Sequence, residues 1–228
     1  MAKILNIETS TTVCSIAIGM DGVPVSVNEI NDGYSHAEEI EGLIEKSLKE
    51  SNLTFKDLDA ISVSKGPGSY TGLRIGVSLA KGLCFGLEIP LISVPTLEAM
   101  AFHPTVLANP NSLRVPMLDA RRMEVYSCVL NAENEVVSET EAVIIDENSY
   151  RSFLRNNEVL FFGPGMEKCK EQLSIHKGAI FQDEVLPSAK QMVRISEEKF
   201  NSNQLEDVAY FEPFYLKDFV AGKPKKLL

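Results

Sequence analysis

Apolar and polar positions alternate in two successive sets along the chain, and each set predicts the same order of elements. In the first set, a hairpin-type Asp-Gly turn at 20–22 joins two apolar runs, so the opening strands are expected to be antiparallel. A helix, a strand, a glycine-rich turn, a second helix and a further strand follow. Strands are predicted at 3–7, 13–19, 23–30, 60–64 and 90–94, and helices at 36–51, 71–87 and 95–102, the first capped by Ser35.

The second set repeats this order with loop-sized differences in length. A Gly-Pro-Gly turn at 163–165 matches the one at 66–68, and Asp119 ends its strand as Glu8 ends the first. Strands are predicted at 115–118, 125–130, 136–145 and 159–162, with a helix at 147–156. We therefore predict two similar α/β domains with mixed sheets in the order βββαβα, at 1–102 and 103–228, with any ligand bound in the cleft between them.

The segment 65–76 (Lys-Gly-Pro-Gly-Ser-Tyr-Thr-Gly-Leu-Arg-Ile-Gly) joins a predicted strand to a predicted helix. One interpretation is an anion site, because glycines admit backbone N–H groups to a phosphate and a helix N-terminus favours negative charge. The other is a tight connection capped by a hydroxyl, and the hydroxyls after the first strand are equally compatible with ordinary turn chemistry. Candidate anion-binding residues are Thr9, Ser10, Gly66, Gly68, Ser69 and Thr71.

A dinucleotide-binding motif is opposed by two features. The strand that follows the glycine-rich segment offers no acidic residue at its end, where such folds bind the ribose. Three strands and a helix also precede the glycines, although the dinucleotide motif belongs to the first strand–helix unit.

The predicted helix 71–87 is apolar or small on most sides, with only Arg74 and Lys81 charged. Such a helix must be covered on most sides, and its small residues at a spacing of four would admit a second helix closely. The cover could be the preceding helix of the same chain or a partner protein. The candidate interface residues are Ile40, Leu43, Ile44, Ser47, Gly72, Leu73, Gly76, Val77, Ala80, Leu83 and Cys84.

Composition argues against three classes: autonomous nucleic-acid-binding proteins, disulfide or zinc proteins, and membrane or secreted proteins. The net charge of −10 opposes autonomous nucleic-acid binding, apart from a C-terminal group of lysines at 217, 223, 225 and 226. The four cysteines are far apart and lie in apolar segments, so buried thiols are expected rather than disulfides or a zinc site. No apolar run approaches the ~20 residues of a membrane span, and no signal peptide is recognisable, so we expect a cytoplasmic protein.

Histidine spacing argues against metal-dependent chemistry. A helical metal site needs two histidines four residues apart, and the position four residues after His36 is Ile40. We therefore expect His36 in the first turn of its helix or at an interface, and no metal ligands. The charges of the segment 119–126 fall at a predicted hairpin, where we expect them to stay solvated.

These segments together resemble the TsaB (YeaZ) family. The resemblance spans nearly the whole chain in order and is carried by 4–10, 35–40, 65–83 and 118–126, with Glu8 standing where the family commonly has Asp. It implies the actin/Hsp70-like ATPase superfamily fold, with two ribonuclease-H-like domains. It also implies a non-catalytic paralogue of TsaD, the family member whose metal site uses a His-x-x-x-His pair.

The resemblance further implies the partners. The family pairs with TsaD through its N-terminal helices, the ATPase TsaE joins them, and the complex forms N6-threonylcarbamoyladenosine at position 37 of tRNAs reading ANN codons. Homodimers through the same helices are implied when the partner is absent. This chain would need no cofactor and would meet tRNA only in the complex, where ATP and magnesium could act.

Two other hypotheses are carried forward. A stand-alone ATP-dependent phosphotransferase of the same superfold would bind nucleotide through Thr9, Ser10, Gly66 and Gly68. A metallopeptidase is opposed by Ile40.

Overall fold

The computed structural model describes residues 2–33 and 36–217, and the first part of the chain forms one mixed sheet. Its elements are β1 (Lys3–Glu8), β2 (Cys14–Met20), β3 (Val23–Ile30), α1 (His36–Glu50), β4 (Ala60–Gly66), α2 (Tyr70–Leu87), β5 (Leu91–Pro95), α3 (Thr96–Met100) and α4 (Pro104–Leu107). The strand order is β3-β2-β1-β4-β5, with β1 to β3 antiparallel and β4 and β5 parallel to β1. The strands and helices predicted here through α3 are confirmed, whereas Ser35, the predicted cap of α1, lies outside the described residues.

The second sheet repeats the topology of the first. Its part of the chain contains β6 (Leu113–Asp119), β7 (Glu124–Leu130), β8 (Val136–Ile144), α5 (Arg151–Leu154), β9 (Val159–Phe162), α6 (Lys170–Leu173), β10 (Ala179–Gln182) and α7 (Ala189–Asn201). Counted from β8, its order β8-β7-β6-β9-β10 corresponds strand by strand to the first sheet. Gly66 and Gly163 have φ angles of 106° and 102° at the equivalent strand ends, which only glycine adopts easily. The predicted duplication is therefore confirmed.

Several elements differ from the prediction. The helix expected at 147–156 is reduced to α5, because the Asp146 carboxylate accepts the Asn148 N–H at 2.8 Å and the Ser149 hydroxyl accepts the Asp146 N–H at 2.9 Å. Such local side-chain bonds compete with helix formation. The short elements β10, α6 and α4 and the longer α7 were not predicted.

Helices cover both faces of the first sheet. Helices α1 and α2 pack on one face, and α7 packs on the other, although it follows the second sheet in sequence. A Cβ placed on Gly19 would lie 2.7 Å from Val193 Cγ1, so α7 approaches β2 closely. All four cysteines are buried free thiols, as predicted. Within the described residues, every helix is too short or too polar to cross a membrane.

Candidate functional site

Two glycines of α2, Gly72 and Gly76, are covered by the chain's own loop between β1 and β2. A Cβ on Gly72 would lie 2.1 Å from Thr9 O, and one on Gly76 would lie 2.3 Å from Thr9 Oγ1. The Thr9 hydroxyl in turn donates to Gly72 O at 2.8 Å. The small-residue side of α2 (Gly72, Gly76 and Ala80) is therefore buried within the chain. At Gly72 and Gly76 the cover is the β1–β2 loop, where the sequence left the choice open between the preceding helix and a partner protein.

The backbone donors expected to cradle a phosphate are engaged internally. The Ser10 N–H donates to Glu8 Oε1 at 2.6 Å, and the Thr9 N–H donates to Ser64 Oγ at 3.4 Å. The Ser69 N–H donates to Ser10 O at 2.6 Å. These bonds fix the glycine loop against the β1–β2 loop. The tight-connection interpretation of the segment therefore accounts for its glycines.

Hydroxyl capping of α2 also occurs. Ser69 is the N-cap residue, and its hydroxyl accepts the Gly72 N–H at 3.3 Å, whereas Thr71 is exposed in the first turn. A Cβ on Gly68 would lie 2.4 Å from Ser10 O, and one on Gly66 would lie 2.9 Å from Phe214 O. Both glycines are thus required by close backbone packing.

Glu8 is fully buried beneath this loop. Burial raises the pKa of its carboxyl group, although hydrogen bonds from Ser10, Ser64 and Thr9 oppose the shift. Because the carboxyl oxygen Oε1 takes the Ser10 N–H, the chain's own acid occupies a donor that an anionic ligand would need. This arrangement opposes a phosphate site formed by the β1–β2 loop.

The predicted interface residues lie mostly in the core. On α1 the side chains of Ile40, Leu43, Ile44 and Ser47 are buried, and on α2 those of Leu73, Val77, Ala80 and Cys84 are buried. Leu83 is partly buried and packs against the same core. These residues cover the first sheet because both helices present their apolar sides to it. Their burial against the sheet accounts for their apolar character, and their role as partner contacts stays a prediction.

The side of α2 that faces solvent consists of other residues, which we call the outer face: Arg74, Ser78, Gly82, Phe85 and Gly86. Phe85 is 84% exposed, which is unusual for a large apolar side chain. A Cβ on Gly82 or Gly86 would meet nothing within 4 Å. The outer face is thus smooth, open and centred on one exposed aromatic ring.

The C-terminal segment runs alongside this helix. The Lys81 ammonium group donates to Ala209 O at 3.2 Å and to Phe211 O at 2.9 Å. Between these two residues, Tyr210 is 84% exposed. Lys81 therefore holds a second exposed aromatic side chain beside α2.

A cleft of about 710 Å³ lies between the two sheets, as the duplicated order predicted. Its walls come from the loops that follow β1, β4 and β6 and from the C-terminal segment. The lining residues are Ser10, Thr11, Thr12, Pro67, Gly68, Ser69, Tyr70, Thr71, Leu118, Asp119, Ala120, Arg121, Tyr126, Pro164, Phe214, Tyr215, Leu216 and Lys217. Of the candidate anion-binding residues, Thr9 and Gly66 are not part of this wall.

The polar hairpin between β6 and β7 lines the cleft, which corrects the expectation that its charges are merely solvated. Asp119 pairs with Lys168, and Glu124 pairs with Lys217. Burial opposes ionisation of Asp119, but hydrogen bonds from Lys168 and the Arg121 N–H outweigh it and lower its pKa. Each carboxylate of the hairpin is therefore held by a lysine.

The structure also shows where His36 and Ile40 lie, the two positions on which the metal prediction depended. His36 is the first residue of α1, as expected, and is buried with Nε2 2.7 Å from Thr11 O. Ile40 packs in the core of the first sheet and has no atom that could bind a metal. Across residues 2–33 and 36–217, no three His, Cys, Asp or Glu side chains are grouped to hold a metal ion.

Two mixed sheets of the same topology with a cleft between them have the fold of the actin/Hsp70-like ATPase superfamily. The activator of the 2-hydroxyisocaproyl-CoA dehydratase from Clostridium difficile with bound ADPNP shares this fold, with a TM-score of 0.51, 9% identity and coverage of 89% of this chain and 96% of that chain. YeaZ from Pseudomonas aeruginosa shares it with a TM-score of 0.81, 23% identity and coverage of 95% and 100%.

Sequence comparison identifies the family. The family model for TsaD, tRNA N6-adenosine threonylcarbamoyltransferase, matches residues 33–223. The chain is 31% identical over 227 residues to the tRNA threonylcarbamoyladenosine biosynthesis protein TsaB of Escherichia coli strain K12, with 97% of each chain covered. It is 36% identical over 107 residues to the tRNA N6-adenosine threonylcarbamoyltransferase of Bacillus thuringiensis strain Al Hakam, covering 40% of this chain and 31% of that protein. The chain therefore belongs to the TsaB (YeaZ) family.

Proposed function

We propose that this chain is a non-catalytic subunit of the cytoplasmic complex that forms N6-threonylcarbamoyladenosine in tRNA. It binds the TsaD-type transferase through the outer face of α2. The observation that carries this proposal is Phe85, an exposed aromatic ring between two glycines whose surroundings are open. Interfaces concentrate their affinity on such rings, and glycines let a partner's backbone come close.

Charge on the neighbouring helix indicates what the partner presents. The solvent side of α1 carries Glu38, Glu41 and Glu45, with Lys46 and Lys49 toward its C-terminal end, and α1 packs beside α2 on the same sheet. A partner that covers both helices needs an apolar recess for Phe85 and basic side chains opposite the glutamates. A standard interface of roughly 800 Å² on each side would reach both helices.

A scaffold role is supported by two features of the first domain: backbone N–H groups that are already hydrogen-bonded, and an isoleucine at the position of a metal ligand. In the described part of the chain the Thr9 and Ser10 N–H groups of the β1–β2 loop donate to Ser64 and Glu8. Ile40 stands where the transferase family has a metal-binding histidine. We infer that the catalytic groups come from the partner. We also infer that TsaE joins the pair and that isolated chains associate through the same outer face.

The proposal is tested by capture from an extract of the organism that encodes the chain. The tagged chain is expected to retain a TsaD-type transferase as its principal partner, identified by mass spectrometry, in a stable complex on size exclusion. Retention of unrelated proteins alone, or of no protein, would contradict the proposal.

A further inference from the structure

The hairpin between β6 and β7 holds two consecutive arginines in an unfavourable backbone conformation. Arg121 and Arg122 have φ angles of 70° and 48°, in the left-handed region that asparagine and glycine adopt at lower cost. The turn is fixed by the Asp119 carboxylate, which accepts the Arg121 N–H at 2.9 Å, and by the Glu124 N–H, which donates to Arg121 O at 3.2 Å. Strained backbone of this kind concentrates at functional sites.

The guanidinium groups of this turn are available to a ligand. Arg121 lines the cleft, and Arg122 is exposed beside it. The carboxylates on either side do not neutralise them, because Asp119 pairs with Lys168 and Glu124 pairs with Lys217. Within the described residues, neither guanidinium forms an ion pair or a side-chain hydrogen bond.

The chemistry of the surroundings selects the ligand class. Arginine binds phosphate oxygens bidentately. Two neighbouring arginines at the mouth of a cleft can therefore bind successive phosphates of an extended nucleic-acid strand. The adjacent cleft is lined by the tyrosines Tyr70, Tyr126 and Tyr215, and the rings of Tyr70 and Tyr215 pack together with their centroids 4.9 Å apart. Aromatic rings are the usual platform for unpaired bases. A small nucleotide is disfavoured, because the Thr9 and Ser10 N–H groups of the β1–β2 loop already donate within the chain.

We propose that the Arg121–Arg122 turn binds the phosphate backbone of RNA at the mouth of the cleft. An unpaired nucleotide then meets the tyrosines inside. This inference rests on the proposed function for the choice of tRNA as the RNA. Because the net charge is −10, the chain repels RNA over most of its surface apart from the C-terminal lysines, so the two arginines also orient the bound molecule.

The test compares two double variants with the same loss of charge. Arg121→Asn with Arg122→Asn removes both guanidinium groups and keeps residues that tolerate the left-handed conformation, so the hairpin is expected to remain folded. Arg151→Asn with Arg155→Asn removes two exposed arginines of the α5 region and serves as the control. Each variant is assembled with the TsaD-type transferase and titrated with an unmodified tRNA transcript that reads an ANN codon.

The hairpin variant is expected to bind the transcript about tenfold more weakly and to show a salt dependence of log Kd that is shallower by about one to two. The control variant is expected to match the wild type. Unchanged affinity and slope in the hairpin variant would overturn the proposal. Weaker binding of ATP with magnesium, or of the transferase, while tRNA binding stays unchanged would overturn it as well.

The experiment distinguishes failure of the proposed function from failure of the RNA-binding inference. If the wild-type chain does not bind the transferase at all, the partner assignment fails, whatever the arginines do. The same titration at low salt on the isolated chain then decides the present inference. A transcript bound equally by the wild type and the hairpin variant, or bound by neither, contradicts it.

Discussion

Replacement of Gly72 by alanine is expected to lower the free energy of unfolding by about 3 kcal/mol. A Cβ at this position would lie 2.1 Å from the carbonyl oxygen of Thr9 and 3.3 Å from His36 Cδ2. Neither neighbour can yield easily, because Thr9 bonds to α2 through its hydroxyl and the His36 ring bonds to Thr11 O. The added methyl group therefore forces the β1–β2 loop away from the helix.

The matched control is Gly82→Ala on the same helix. Its Cβ meets nothing within 4 Å, so the helix propensity of alanine should raise the free energy of unfolding by about 1 kcal/mol. Chemical denaturation of both variants measures the difference. Equal effects at the two positions would mean that the glycine side of α2 is not covered by the chain's own loop.

Truncation of Phe85 to alanine is expected to weaken binding of the TsaD-type transferase about a hundredfold, equivalent to about 3 kcal/mol. The ring is 84% exposed in the isolated chain, so its removal leaves the fold intact. Buried in a recess of the partner, the same ring would act as the anchor of the outer face. Calorimetric titration with the purified transferase measures the loss.

Ile144→Ala provides the comparison for this truncation. Ile144 ends β8 and is 73% exposed, so it is a large apolar side chain on the surface of the second sheet. Its truncation is expected to leave the affinity unchanged. A similar loss for both variants, or none for Phe85→Ala, would argue that the transferase binds another surface.

Local patterns predicted most of the fold. Short apolar runs bounded by turn residues located the strands of the first sheet and four strands of the second. The two Gly-Pro-Gly turns revealed the duplication. The small elements β10 and α6 escaped because each is four residues long, too short for a period to be visible. Helix α7 escaped although it has a clear capping box at Ser188 and Gln191, which the sequence could have revealed.

The site was harder to predict because its contacts are distant in sequence. The sequence showed that α2 needs cover on most sides, but Thr9 is 63 residues away from the glycine it contacts. The sequence of the helix alone therefore could not show which side of α2 stays exposed to solvent. Phe85 was visible only as one apolar residue among many, and nothing in the local pattern marked it as exposed.

The C-terminal segment illustrates the same limit. It lacks periodic structure and is held by single bonds, such as the Phe214 N–H to Lys65 O at 2.7 Å and the Lys81 bonds described above. Sequence patterns detect periodicity, so such a segment carries no signal until the fold is known. The cleft wall formed by Tyr215 and Lys217 was consequently missed.

The central claim is that this chain activates another subunit and performs no transfer itself. It is tested most directly by incubating unmodified tRNA with threonylcarbamoyl-adenylate and counting threonylcarbamoyladenosine by mass spectrometry. The purified chain alone should give none, the transferase with TsaE little, and all three together sustained modification that the Phe85→Ala chain fails to support. Modification by this chain unaided, or equal modification with and without it, would contradict the account.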